Sequence, residues 1–526
     1  MLAKLKTFSL QGATAFPVEV EVSFRFLDLR GGNPDGKTTI VGLAEAVVRE
    51  SLPRVKTAIT SSGYQPPTGD LVVNLAPADL PKQASSFDLP ISLGQLAASG
   101  QARLNFEDYA IVGELALDGS ARPVRGVLAF ARKAKEMGLR GIVVPAENAK
   151  EAALVDGIEA IPVSTLTQAV GFLSEELPIE PAPGLLTEEY ERLSAYDVDF
   201  SEVRGQETAK RAMTIAAAGA HNLLMFGSPG AGKTMLAKRL ATILPPPTLE
   251  EALETTEIYS AVGKVTPDAP LIATRPFREP HHSISEPGLV GGGARPMPGE
   301  ISLANNGVLF LDELPEFNRK TLEALRQPLE DGKATITRAN RTETFPAKFI
   351  LIAAMNPCPC GFRNDPRREC RCSAEQIEKY MAKISGPLLD RIDLHIETPP
   401  VSYRDLASKE RGATSAEMRE LVLKARSIQL ERFQGTKITT NSQMRRAHLQ
   451  RWAELSPSCG ELLERAMNEF GFSARAHDKI LRVARTIADL EGEENINEQC
   501  LFEAIGYRTL DRKLWKKEAK TRSTRR

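Results

Sequence analysis

The stretch Gly227-Ser228-Pro229-Gly230-Ala231-Gly232-Lys233-Thr234 matches G-x-x-x-x-G-K-[ST], the spacing of a phosphate-binding loop. Before it, Asn222-Leu223-Leu224-Met225-Phe226 reads as a buried strand, and after it Met235 to Ile243 reads as a helix. That order is what the chemistry requires. Glycines let backbone N–H groups curl around phosphates, and the helix N-terminus adds the positive end of its dipole. Lys233 is expected to reach the β- and γ-phosphates of ATP, and Thr234 to hold Mg²⁺. The loop implies an α/β nucleotide-binding core with a parallel sheet.

Further along, Val308-Leu309-Phe310-Leu311 is an apolar strand run that ends in Asp312-Glu313. At a strand C-terminus, Asp312 can order Mg²⁺ through water and Glu313 can polarise an attacking water. A second apolar run, Phe349 to Met355, ends at Asn356. Upstream of the loop, Asp199-Phe200-Ser201-Glu202-Val203-Arg204-Gly205-Gln206 leads into a helix expected over Glu207 to Ala218.

At 526 residues the chain is too long for one core, and two to four domains are expected. Its 67 basic and 68 acidic residues nearly cancel, so any nucleic-acid contact must come from a local patch. No apolar run approaches the roughly 18 residues of a membrane span, and the first residues lack a signal-peptide core. The expectation is a soluble cytoplasmic protein with no membrane partner. Six cysteines in a chain this long are not a disulfide scaffold.

Taken in series, the nucleotide pieces resemble the AAA+ ATPases. That resemblance makes Asn356 the sensor 1 residue, which helps orient the attacking water. Gly386-Pro387-Leu388-Leu389-Asp390-Arg391-Ile392-Asp393 is similar to the arginine-finger segment of the magnesium-chelatase and replicative branch. Arg391 would then reach the γ-phosphate bound by a neighbouring subunit of a homo-oligomer. Helical patterns over Ser415 to Phe433 and Ser442 to Gly506 fit the α-helical lid of such a module. Phe472-Ser473-Ala474-Arg475-Ala476 opens one of those helices, and Arg475 matches the sensor 2 position.

The front of the chain alternates strands and helices. Strands are expected at Val18 to Phe26, Leu71 to Leu75, Tyr109 to Leu117 and Ile142 to Val144. Helices are expected at Val41 to Ser51, Ile91 to Ala98 and Val127 to Met137. Pro81-Lys82-Gln83-Ala84-Ser85-Ser86, Gly113-Glu114-Leu115 and Arg122-Pro123-Val124-Arg125-Gly126 resemble the proteolytic domain of the Lon family, an α+β fold. Lon-type cleavage needs a Ser nucleophile and a Lys base. Ser86 falls near the first position, but Val127 falls on the second and cannot take a proton. The reading is a Lon-like fold without peptidase activity.

Arg275-Pro276-Phe277-Arg278-Glu279-Pro280-His281-His282-Ser283-Ile284-Ser285, Gly291-Gly292-Gly293 and Pro298-Gly299-Glu300-Ile301-Ser302-Leu303-Ala304 form an insertion between the nucleotide motifs. With Phe317 to Leu329 they resemble the YifB/ComM family of magnesium chelatase-like proteins, over essentially the whole chain. The resemblance implies a hexameric DNA helicase that promotes branch migration during natural transformation. Ala334 to Phe345 alternates like a hairpin with its turn near Ala339-Asn340. In this branch such a hairpin faces the ring pore, where Arg338 and Arg341 could grip DNA phosphates. A solvated hairpin tip reads equally from the residues. His281 and His282 fit either a substrate contact or a structural loop.

Cys358-Pro359-Cys360 and Cys370-Arg371-Cys372 make C-x-C-x9-C-x-C just after Asn356. Structural zinc, four reduced surface thiols and a redox disulfide pair all fit this pattern. Domains are expected at 1–176 (Lon-like), 177–198 (linker), 199–402 (ATPase core), 403–510 (lid) and 511–526 (basic tail). Glu175 to Asp199 holds eight acidic residues against Arg192, with Pro178, Pro181 and Pro183, which suggests the linker. The tail carries eight Lys/Arg against two acidic residues, plus Trp515, and fits a frayed end or a nonspecific DNA contact. Three functions stay open: a DNA motor, a motor remodelling a protein partner and an ATP-dependent protease.

Overall fold

The computed structural model describes residues 1–26, 37–43, 45–80, 82, 85–293, 296–338, 341–363, 365, 368–401 and 411–508, leaving the side chains of Ala46, Val47, Ser85 and Arg341 aside. Gln83 and Ala84, the hairpin turn at 339–340 and the tail 511–526 therefore lie outside the described residues. The chain divides into two units, Met1–Ala195 with Thr248–Ala273, and Tyr196–Pro247 with Thr274–Arg526.

In the first unit the alternation of Ala3, Leu5 and Thr7 with Lys4 and Lys6 makes the first half of Leu2–Gln11 one-sided, while Phe8 is buried on the opposite face. It pairs antiparallel with Thr14–Phe26, from Leu2↔Ser23 to Gln11↔Thr14. A seven-stranded mixed sheet runs in the order Thr38–Val41, Gly69–Ala76, Thr14–Phe26, Leu2–Gln11, Tyr109–Ile111, Gly141–Pro145 and Glu159–Val163. Helices Ala46–Ser61, Asp88–Ala98 and Val127–Glu136 supply the apolar faces packed on it. The expected first helix lies later than read, because Gly42 is left-handed at φ 95° and holds the chain off helix until Ala46. The long strand expected to Leu117 stops at Ile111, and Glu114–Leu115 instead pairs with Ala121–Arg122.

The expected linker is not a plain spacer. Thr187–Leu193 is a helix, and Leu185, Tyr190 and Leu193 pack with Ala252, Leu271 and Ala273. The segment Thr248–Ala273, read as part of the ATPase core, is counted with the first unit. Its helix Leu249–Ala261 opens with a capping box between Thr248 and Glu251. Glu257 pairs with Arg132 at 2.9 Å, and the Ser260 hydroxyl accepts from Gly126 N at 2.9 Å while donating to Glu151.

The second unit holds a five-stranded sheet, all parallel, in the order Phe277–Arg278, Gly307–Leu311, Phe349–Met355, Leu223–Phe226 and Leu394–Glu397. Three of these strands are continuous apolar runs, as a sheet covered on both faces demands. Helices Ser415–Arg432, Pro457–Phe470, Ala474–Glu491 and Glu498–Gly506 share one core with this sheet and with helix Glu207–Gly219. Among the described residues no helix is long and apolar enough to cross a membrane.

Candidate nucleotide site

The strand Leu223–Phe226 is buried throughout and delivers Gly227 to the sheet edge where parallel strands end. A Cβ on Gly227 would lie 2.2 Å from the Thr398 carbonyl, so no other residue fits. Gly230 and Gly232 adopt φ of 79° and 84°, and a Cβ built on either meets nothing within 4 Å. Both glycines thus face open space, and helix Lys233–Ile243 starts directly from the loop. With Ser228, Pro229 and Ala231 these glycines frame a cradle that fits a triphosphate.

Lys233 is buried, and its Nζ donates to Gly227 O at 2.6 Å, to Ser228 O at 3.2 Å and to Asn356 Oδ1 at 3.1 Å. Burial pushes its amine down from the ordinary lysine value, against the pull of Asp312 and Glu313. The Thr234 hydroxyl donates to Asp312 Oδ2 at 2.9 Å. A hydroxyl and a carboxylate so joined fit the ligand set of Mg²⁺. Asp312 Oδ1 accepts from Glu313 N at 2.8 Å, and Glu313 sits at φ 52°, a left-handed conformation that strains a residue with a Cβ. Lys233, Thr234, Asp312, Glu313 and Asn356 therefore converge at the ends of three adjacent strands.

The magnesium chelatase subunit ChlI model matches residues 199–406, the model for subunit ChlI of Mg-chelatase matches 27–148, and the ChlI C-terminal model matches 412–508. The chain is 45% identical to competence protein ComM of Haemophilus influenzae over 98% of itself and 99% of that protein. It is 42% identical to the protein YifB of Escherichia coli over 98% of each. The chain belongs to the YifB/ComM family of magnesium chelatase-like proteins. A shorter likeness, 29% identity over 177 residues, joins it to the magnesium-chelatase 38 kDa subunit of Rhodobacter capsulatus. That match spans 30% of this chain and 50% of the subunit. The α/β unit with its parallel sheet fits the AAA+ core of this family.

In this YifB/ComM-family chain, two side chains from beyond the loop complete the constellation. His282 Nδ1, from the insertion, lies 3.3 Å from Glu313 Oε2. Its ring lies tilted against that of His281, with centroids 4.1 Å apart, and meets Phe317 edge-on. Asn222, at the start of the loop strand, donates to Arg391 O at 3.1 Å and accepts from Leu351 N at 2.8 Å. A polar residue opening an apolar run was the available signal for Asn222; nothing local marks the His282 contact.

Arg391 is held within its own chain. Its Nη1 donates to Pro387 O at 2.6 Å, its Nη2 pairs with Glu330, and its buried Nε has no partner among the described residues. Arg475 is mostly exposed near the start of helix Ala474–Glu491, and its Nη1 lies 3.5 Å from Asp390 Oδ2. Arg475 thus reaches the residue that directly precedes Arg391. Two residues on, buried Asp393 accepts from Lys479 at 2.7 Å and from Asn222 N at 3.0 Å.

Strands Lys333–Arg338 and Arg341–Pro346 pair antiparallel, ending at Arg338↔Arg341. Arg338 is exposed, and its guanidinium reaches beside Gly292 of the insertion. In the first unit Ser86 is buried with its hydroxyl unpartnered among the described residues, and Val127 is buried at the start of its helix. Lys82, unremarked in the sequence reading, is also buried and donates to Pro77 O. All four clustered cysteines are free thiols whose sulfurs lie within 4.8 Å of one another.

Proposed function

We propose that this chain hydrolyses ATP with Mg²⁺ and uses the energy to move along DNA as a hexameric ring in the cytoplasm, promoting branch migration. The observation that carries the ATPase reading is the Thr234–Asp312 contact at 2.9 Å beside buried Lys233. Magnesium, when bound, neutralises phosphate charge. Lys233 releases its loop carbonyls to bind the β- and γ-phosphates. Thr234 and Asp312 hold the metal, Glu313 polarises water, and Asn356 orients it. Arg391 leaves Glu330 to stabilise charge at a neighbouring subunit's γ-phosphate, and Arg475 couples phosphate loss to the helical lid.

The DNA part rests on the long match to a protein named for competence, which supports recombination during natural transformation as the setting. Arg338 and Arg341 on the hairpin serve as its phosphate contacts. The first unit is read as a Lon-like fold whose ChlI-type sequence does no proteolysis, because Val127 offers no base. The four cysteines are read as a zinc site.

The second reading is a chelatase-type motor acting on a protein partner, favoured by the likeness to the magnesium-chelatase 38 kDa subunit. ATPase assayed with a DNA junction and with no DNA separates the two. Stimulation by the junction supports the first reading; robust ATPase indifferent to DNA, without strand displacement, rejects it.

A further inference from the structure

We propose that Cys358, Cys360, Cys370 and Cys372 hold one zinc ion and that the loop this metal folds braces the phosphate loop through Gly361 and Pro229. The proposal deepens the nucleotide-site reading and rests on it. The first observation is the sulfur geometry. Cys358 and Cys360 sulfurs lie 3.4 Å apart, and each lies 3.7 Å from Cys370. Four thiolates around one zinc at about 2.3 Å stand roughly 3.8 Å from one another, the edge of a tetrahedron. These three sulfurs are thus spaced as zinc would space them and too far apart for an S–S bond of about 2.05 Å, and the Cys372 sulfur lies within 4.8 Å of each. Among the described residues no carboxylate or imidazole joins the group. A set of soft thiolates selects zinc and leaves Mg²⁺ to the oxygen ligands of the nucleotide site.

The surroundings suit a charged metal centre. A zinc with four thiolates carries two negative charges, and Arg363, Arg368 and Arg371 follow one another along the same loop. Between Asn356 and Ser373 the described residues form neither helix nor strand. Among those described residues only Pro357, Cys358 and Gly361 are buried. Such a loop lacks an apolar core of its own, and a metal supplies what the core does not.

The second observation is independent of the sulfurs. Gly361 sits at φ 83° against the phosphate loop, where a Cβ would lie 2.7 Å from both Pro229 Cδ and Cγ and 4.0 Å from Asn356 Cγ. Its N–H donates to Cys358 O at 2.9 Å, which ties this contact to a ligand residue. Asn356, two residues before Cys358, receives the Lys233 amine. The metal-folded loop therefore touches the nucleotide site at two points, the back of Pro229 and the side chain that anchors Lys233. Losing the metal frees both.

Metal analysis of the full chain purified without chelator tests the site, and mant-ATP binding tests the brace. We expect roughly one zinc per chain. Gly361→Val keeps all four thiols and is expected to retain zinc yet bind mant-ATP about tenfold more weakly, because a displaced loop misplaces its ligands. Cys360→Ser with Cys372→Ser is expected to lose zinc and weaken binding comparably at unchanged helical content by circular dichroism. Iron or no metal in the wild type overturns the zinc site. Zinc present with mant-ATP affinity unchanged in both variants overturns the brace. If instead Lys233→Ala binds mant-ATP as the wild type does, the nucleotide-site reading fails, a result the metal analysis does not share.

Discussion

His282 Nδ1 stands 3.3 Å from Glu313 Oε2, so an imidazole from the insertion holds the carboxylate expected to polarise water. Glu313 is left-handed at φ 52°, and strained backbone at a reacting group persists only when neighbours fix it. We expect His282→Ala to lower kcat of ATP hydrolysis about tenfold, equivalent to ~1.4 kcal/mol, with KM for ATP unchanged. His282→Asn, which keeps a donor, should recover part of the loss. An unchanged kcat in the alanine variant would make the contact incidental.

Arg391 rests on Glu330 in its own chain, yet the proposed role lies in a neighbour's site. Arg391→Ala should cost on the order of a thousandfold in hydrolysis while ATP binding persists. Mixing Arg391→Ala chains with Glu313→Gln chains places an intact loop beside an intact arginine at some interfaces. Activity of the mixture above that of either variant is expected. A mixture as dead as its parts argues for an arginine that works within one chain.

Asp393 joins the strand that follows Arg391 to helix Ala474–Glu491, through Lys479 at 2.7 Å, with His221 Nδ1 at 3.6 Å. Burial alone would raise its carboxyl, but Lys479 and His221 outweigh that and hold it well below the usual carboxylate range. A depressed carboxylate contributes stability above its unfolded value of roughly 3.9 and loses it as pH falls through the folded value. The pair should therefore be intact from neutrality down to about pH 4 and fail only below that. Asp393→Asn leaves Lys479 buried without its counter-charge and should cost about 3 kcal/mol in urea unfolding. A loss of only a few tenths would show that water reaches the site.

The hairpin arginines make a separable prediction. Arg338→Ala with Arg341→Ala should abolish stimulation by DNA and spare basal ATPase. The slope of log affinity against log salt should shrink by roughly 1.4 to 1.8 for two lost phosphate contacts. Equal DNA affinity at every salt concentration would remove the hairpin from the track.

Much of the nucleotide site was legible because its determinants are local. Gly230 and Gly232 need left-handed backbone within one loop, and Asp312 follows directly on an apolar strand. What stayed hidden depends on long-range pairing. His282 meets Glu313 only once the insertion folds back, and Asn222 reaches Arg391 across 169 positions of sequence. The strand Leu2–Gln11 shows ordinary alternation, but its weight comes from ten paired residues across the hairpin. Thr248–Ala273 follows the phosphate-loop helix in sequence, yet its partners Arg132, Glu151 and Leu154 are set by packing in the first unit. Composition alone suggested a linker over 177–198, because Leu185, Tyr190 and Leu193, whose partners are distant in sequence, leave little local signal.

The central claim is that ATP bound at Gly227–Thr234 drives movement on DNA. ATPase rate with and without a four-way DNA junction, beside Lys233→Ala, tests it most directly. Hydrolysis stimulated by the junction and lost in the variant is the expected result. Hydrolysis that depends on Lys233 but ignores DNA at low salt would contradict it.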